Sequence, residues 1–152
     1  MVWGNVVFDA MAVSLYIEAV GVLAPDCLMV RSHGIFNAGD LLVAQRKLST
    51  HPMIQAGANV LNDARDVDFS TAARDVEAAA RSLRPETTQM PTNRVAVVVA
   101  NDLGLEAIRM YLSLREVGDA HTVVRSVPDG LAFLGMPADL EARVDALRAA
   151  ES

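Results

Sequence analysis

The feature that most constrains this chain is an apolar run, Val95-Ala96-Val97-Val98-Val99-Ala100, that feeds directly into a helical pattern. A run this short, rich in Val and without alternation reads as a strand buried on both faces, since neither side carries a polar residue for solvent. Asn101 or Asp102 follows, and either side chain can accept a free N–H of a helix's first turn. Beyond it Leu105, Ile108 and Leu112, with Met110 beside them, recur at helical spacing and predict an inward stripe. A doubly buried strand running into an amphipathic helix is half of a βαβ unit. The sheet it belongs to is therefore covered by helices.

The rest of the chain extends that unit. Leu15, Ile17 and Ala19 alternate with Ser14, Tyr16 and Glu18, and Pro25-Asp26 marks a turn. A second strand over Cys27 to His33 makes an antiparallel hairpin with the first, and Gly34 ends it. Asn37 or Asp40 caps a helix whose Leu41, Leu42, Gln45 and Leu48 mark one face, closed by Ser49 to Pro52. A third strand around Val60 and Leu61 ends at Asn62-Asp63, and a polar acidic loop runs from Ala64 to Phe69. Ser70 or Thr71 caps an Ala-rich helix from Ala72 to Arg84, and Pro85 to Asn93 is a loop. After the central pair, Gly118 ends the helix and His121 to Arg125 is a fifth strand. Pro128 starts a short helix that Gly135 terminates, and Pro137 opens a last helix with a narrow Leu140, Val144 and Leu147 stripe.

The expected architecture is α/β: a single domain over residues 1–152, with a mixed, mostly parallel sheet of about five strands. Its helices lie largely on one side, with an N-terminal hairpin and a C-terminal helical extension over 137–152. At 152 residues and 52% hydrophobic, the chain can bury a core of useful size. Residues 1–10 read as a short strand, a leader before a start at Met11, or an apolar arm packed on the body or on a second subunit. No basic region precedes the apolar start and no apolar run reaches the roughly 20 residues of a membrane span. A cytoplasmic protein is expected, with no integral membrane segment. The single Cys27 forms no internal disulfide and shows no zinc spacing, so it reads as a small buried hydrophobe. A net charge of −6 argues against nucleic acid and anionic membranes as partners. The only lysine is Lys47, a bias toward Arg that suggests a high-GC bacterial origin.

Four segments in order carry a resemblance. LMVRSHGIFNAGDLLVAQRKL is similar to the strand, Gly and polar-capped helix that open SpoIIAA-like proteins, a group related to the STAS domain. GANVLNDARDVDFSTAARDVEAAA resembles that group's "vLvDlRdv-d-s" strand and helix. RVAVVVANDLGLEAIRMYLSLRE resembles its "vAiVap-d-l-yG-aRmy" pair, and VVRSVPDGLAFLG its terminal "v-v-F-dleeAl-WLg". The match covers about Leu28 to Gly135. The resemblance implies a small bacterial regulatory or ligand-sensing module, not an enzyme, that binds a partner protein or a small hydrophobic ligand. The chain also departs from the pattern. Where anti-sigma-factor antagonists carry Asp-Ser-Ser-Gly with a phosphorylated serine, it has Asp68-Phe69-Ser70-Thr71-Ala72, so Ser70 reads as a helix cap. Ser126 and Phe133 stand where Phe and Trp are common.

The candidate ligand-binding residues are Asp63, Arg65, Asp66, Ser70, Asn101, Asp102, Arg109 and Tyr111. The first three, with Asp68, follow a strand end, where ligands bind in α/β sheets. Carboxylates there suit a hard cation such as Mg²⁺, but the intervening Arg65 favours a solvated loop. Asn101 and Asp102 begin a helix whose free N–H groups can meet an anion, and capping is the simpler role. Arg109 and Tyr111 fall where the resembled group has Arg-Met-Tyr, and Arg109 can pair with Glu106 one turn back. His33, His51 and His121 show no metal spacing and read as structural or surface residues. No glycine-rich phosphate loop and no nucleophile elbow is present. No cofactor, metal or catalytic residue is expected. A homodimer is, on the apolar N-terminal arm and the C-terminal helix. The alternative is a small flavodoxin-like enzyme that binds a nucleotide or metal with the strand-end acidic residues.

Overall fold

The computed structural model describes residues 14–80, 93–115 and 118–150. Among them one sheet contains β1 (Leu15–Ala24), β2 (Cys27–Ile35), β3 (Asn59–Asp68), β4 (Val95–Val98) and β5 (His121–Val124). The α-helices are α1 (Ala38–Leu48), α2 (Pro52–Gln55), α3 (Ala72–Ala80), α4 (Asp102–Arg115), α5 (Val127–Phe133) and α6 (Glu141–Ala150). The strands lie in chain order, β1 to β5. β1 and β2 form the expected antiparallel hairpin, and β2 to β5 run parallel. This is the mixed, mostly parallel α/β sheet expected from the sequence.

Chain order dictates where the helices go. Each parallel step moves one place in the same direction, and a right-handed crossover then keeps every connection on one face. α1 to α4 therefore cover that face, through Phe36, Leu41, Ile54, Val76 and Tyr111 among others. α5 and α6 follow the last strand and cover the opposite face, over Leu23, Met29, Leu61 and Val98. β4 sits between the layers: Val97 and Val99 face the first, Ala96 and Val98 the second. That accounts for its unbroken apolar run.

Local choices follow the sequence closely at several ends. Asn37 Oδ1 accepts the Asp40 N–H and starts α1. Asn101 Oδ1 accepts the Gly104 N–H and starts α4. Ser126 caps α5, and Gly135, at φ +70°, ends the turn after it. The last helix packs in cis: Val144 is buried in the second layer, with Leu140 and Leu147 beside it. Leu147 lies over Gly21, where an added Cβ would sit 2.8 Å from its Cδ2. Arg143 donates to the Val22 carbonyl of β1 at 2.9 Å.

Four expectations are corrected. Gly34 does not end β2, which runs on to Ile35. Its φ of +99° carries the strand past the Ser14 carbonyl, which any Cβ would strike, a place for glycine alone. Residues Ser49 to Pro52 do not simply close a helix, because His51 Nδ1 accepts the Met53 N–H and begins α2. The expected stripe on α4 keeps Ile108, with Leu105 and Leu112 packed half-buried on the core, and loses only Met110. Gly104, Ala107, Ile108, Tyr111 and Arg115 are the buried positions, while Met110 is exposed. The acidic segment after Asp63 is not a loop but the second half of β3. Residues 1–10, the loop residues 85–92 and the end of the Ala-rich helix beyond Ala80 lie outside the described residues. No helix among the described residues is long and apolar enough to cross a membrane.

Candidate functional site

The α1–α4 layer does not close completely on the sheet. A half-open cavity of about 90 Å³ lies between them. Its wall is largely apolar, with Leu15, Val30, Val60, Val97, Ile108 and Leu112 among its lining residues. β-sheet alternation places these side chains: on β2, β3 and β4 every second residue faces the helices.

Polar groups meet the cavity in distinct places. Ser32 Oγ donates to Asn62 Oδ1 at 2.7 Å, across adjacent strands. Asn93 Nδ2 donates to the carbonyls of Ile54, at 3.0 Å, and of Ala58. Arg115 Nη1 donates to Gln45 Oε1 at 3.0 Å and to Tyr111 Oη, and so ties α4 to α1. Burial pushes the Tyr111 hydroxyl up, against the opposing pull of the Arg115 charge and hydrogen bond. His121, the first residue of β5, also lines the cavity. It is 8% exposed, and neither ring nitrogen has a hydrogen-bond partner among the described residues. Burial first, and the Arg115 charge second, lower its pKa to about 4, so the ring is neutral at physiological pH.

A second polar cluster lies on the opposite face. A bulge in β3 sets Ala64 and Arg65 against Ser32 alone, between the pairs Arg31–Asp63 and His33–Asp66. The extra residue lets Asp63, Arg65 and Asp66 all meet the α6 side, while Ala64 and Val67 stay in the other layer. Asp63, 1% exposed, accepts from Arg65 Nε at 2.8 Å and Arg65 Nη2 at 3.0 Å, and pairs with Arg148 Nε at 3.3 Å. Asp66 pairs with Arg148 at 2.7 Å and with Arg31 at 3.2 Å. Burial alone would raise the Asp66 carboxyl, but the bonds and charges of Arg148 and Arg31 outweigh it and hold it low. This network clasps α6 to the sheet and leaves the carboxylates facing arginines. Among the described residues no group of three or more His, Cys, Asp or Glu is placed to hold a metal ion.

The sequence-predicted residues are thus divided. Asp63, Arg65 and Asp66 come together on the α6 face. Tyr111 lies on the other face, in the cavity. Ser70 donates its backbone N–H to Asp68 at 2.8 Å, which holds that carboxyl low. Asn101 caps α4, Asp102 pairs with Arg125 on the exposed surface, and Arg109 is exposed. Sequence reasoning missed Arg148, Gln45, Arg115 and His121. Arg115 had a signal, since it lies one turn beyond Tyr111 on the same helix. His121 had none, because being buried without a partner is a property of the tertiary structure.

No protein-family model matches the chain, and no curated protein matches it significantly.

Proposed function

We propose that this chain is a non-enzymatic binding module of the SpoIIAA and STAS type that takes a small, mainly apolar ligand between its sheet and helices. One observation carries this reading: the half-open, apolar cavity with a few polar groups at its wall, the usual composition of a small-molecule site. Its volume sets the scale. At about 90 Å³ it is smaller than the ~150 Å³ cavity that accepts benzene, so it suits a short chain and not a nucleotide or a flavin. The order of strands and helices, with the hairpin first and every crossover on one face, supports the family assignment. The buried free Cys27 fits a reducing cytoplasm. The module works as a homodimer in this reading, supported by exposed Leu103, Met110 and Leu114 on α4.

Native mass spectrometry of the protein purified from its own host reads both points. A retained small-molecule adduct, lost when Val97→Phe fills the cavity, is the expected result. A bare protein that also gains no thermal stability from small apolar compounds overturns the ligand reading. A monomer at micromolar concentration in sedimentation removes the dimer.

A further inference from the structure

Buried polar groups in folded proteins almost always have a hydrogen-bond partner, so one without a partner calls for a reason. His121 is such a group, with two nitrogens unmet among the described residues. It stands where β5 meets the cavity wall. The other cavity polar groups already have partners: Ser32 with Asn62, Tyr111 and Gln45 with Arg115, Asn93 with backbone carbonyls. Among the buried polar side-chain atoms of the described cavity residues, only the two imidazole nitrogens lack a partner. Arg115, engaged by Gln45 and Tyr111, lies close enough to act on that ring by charge. It gives this end of the cavity a positive field, which repels an ammonium and attracts an anion.

We propose that His121 is the anchor for a short-chain carboxylic acid, whose aliphatic body fills the cavity and whose carboxyl group meets the ring. This rests on the ligand-binding reading above. A carboxyl suits the neutral imidazole in both of its forms. As a carboxylate it accepts the ring N–H, and as the acid it donates to the bare nitrogen. Arg115 supplies charge while keeping its bonds to Gln45 and Tyr111. A short aliphatic chain suits the largely apolar wall, and the other polar groups that line it already hold partners of their own.

The experiment titrates isovalerate, and isoamyl alcohol of the same carbon skeleton, into the wild type and His121→Leu by calorimetry. Leu keeps the bulk of the ring and removes its polar atoms. The ¹⁵N resonances of the His121 ring are followed in the wild type. Isovalerate is expected to bind the wild type, to move those resonances, and to bind His121→Leu at least about tenfold more weakly. The alcohol is expected to bind both proteins alike, which also shows that the variant's cavity is intact. Equal binding of isovalerate to both proteins overturns the anchor and leaves the cavity reading standing. So do ring resonances that do not move, a result that needs no variant. Binding of neither probe to the wild type overturns both.

Discussion

Replacing His121 by Leu is expected to make the unliganded protein more stable. The ring is 8% exposed, and neither nitrogen is paired among the described residues. A buried polar group left unsatisfied costs about 1–3 kcal/mol. Leu occupies a similar volume and has no polar atom to leave unmet. The net gain at neutral pH is expected to be about 1–2 kcal/mol. Acid widens the difference. Burial, with Arg115 adding to it, brings the pKa from 6.5 to about 4 in the folded protein. Between those values the unfolded chain binds more protons than the folded one, so the wild type loses stability as pH falls through that window. The full shift corresponds to ~3 kcal/mol, and water at the cavity mouth screens part of it, which leaves about 2 kcal/mol. His121→Leu lacks this loss. Urea denaturation of both proteins between about pH 7 and about pH 5 reads the gap directly. A variant less stable than wild type at neutral pH, or a gap that does not grow in acid, refutes the reasoning. The ring would then have a native partner.

Three further outcomes are expected. Asp63→Asn keeps the shape but removes the charge that Arg65 and Arg148 face, and should cost about 2–3 kcal/mol in urea unfolding. A loss below about 0.5 kcal/mol would mean that the arginines re-pair at no cost. Gly104→Ala should lower the melting temperature, by about 1–2 kcal/mol in stability, although Ala is the better helix former by about 1 kcal/mol. Its Cβ would lie 2.9 Å from the buried Phe69 ring and 3.1 Å from Val99 Cβ, and an unchanged melting temperature would show that the ring yields freely. Cys27 is 0% exposed, and burial, with Asp26 adding to it, raises its thiol to about 11. Iodoacetamide should therefore label it only as fast as the protein unfolds, and rapid labelling of the native state would contradict that burial.

The parts of this fold that were legible in the sequence are those fixed by local chemistry. The Val95 to Ala100 run, the Asn37 and Asn101 caps and the alternating hairpin each carry their own instruction within a few residues. The misread parts depend on what lies across the structure. Ala64 to Asp68 is too polar to read as strand, and it becomes one because Arg31 and Arg148 meet the carboxylates of Asp63 and Asp66 and a bulge re-aims them. The buried face of α4 was read too narrowly because Gly104, Ala107 and Arg115 score as poor core residues. Gly104 is inward because Phe69 comes too close for any side chain, and Arg115 because Gln45 and Tyr111 receive it. Of the predicted site residues only Tyr111 lies in the cavity. Asp63, Arg65 and Asp66 followed a strand-end rule whose premise, a strand stopping at Asp63, does not hold here, and Asn101 and Asp102 serve the start of α4 instead.

The strands of the sheet sit in the order in which they are made, yet the last helix lies across the first hairpin. During synthesis β1 to β5 can add one after another, each to the edge just completed. The surface formed by Leu23, Met29 and Leu61 is different, because α5 and then α6, with Val144 and Leu147, reach it only after the sheet is complete. Until then the growing chain holds a nearly finished sheet with one oily side turned to water. The interval between translation of β2 and of α6 is therefore the period in which chaperones have something to grip. Slowing the ribosome within that stretch lengthens it, and with it the exposure to aggregation.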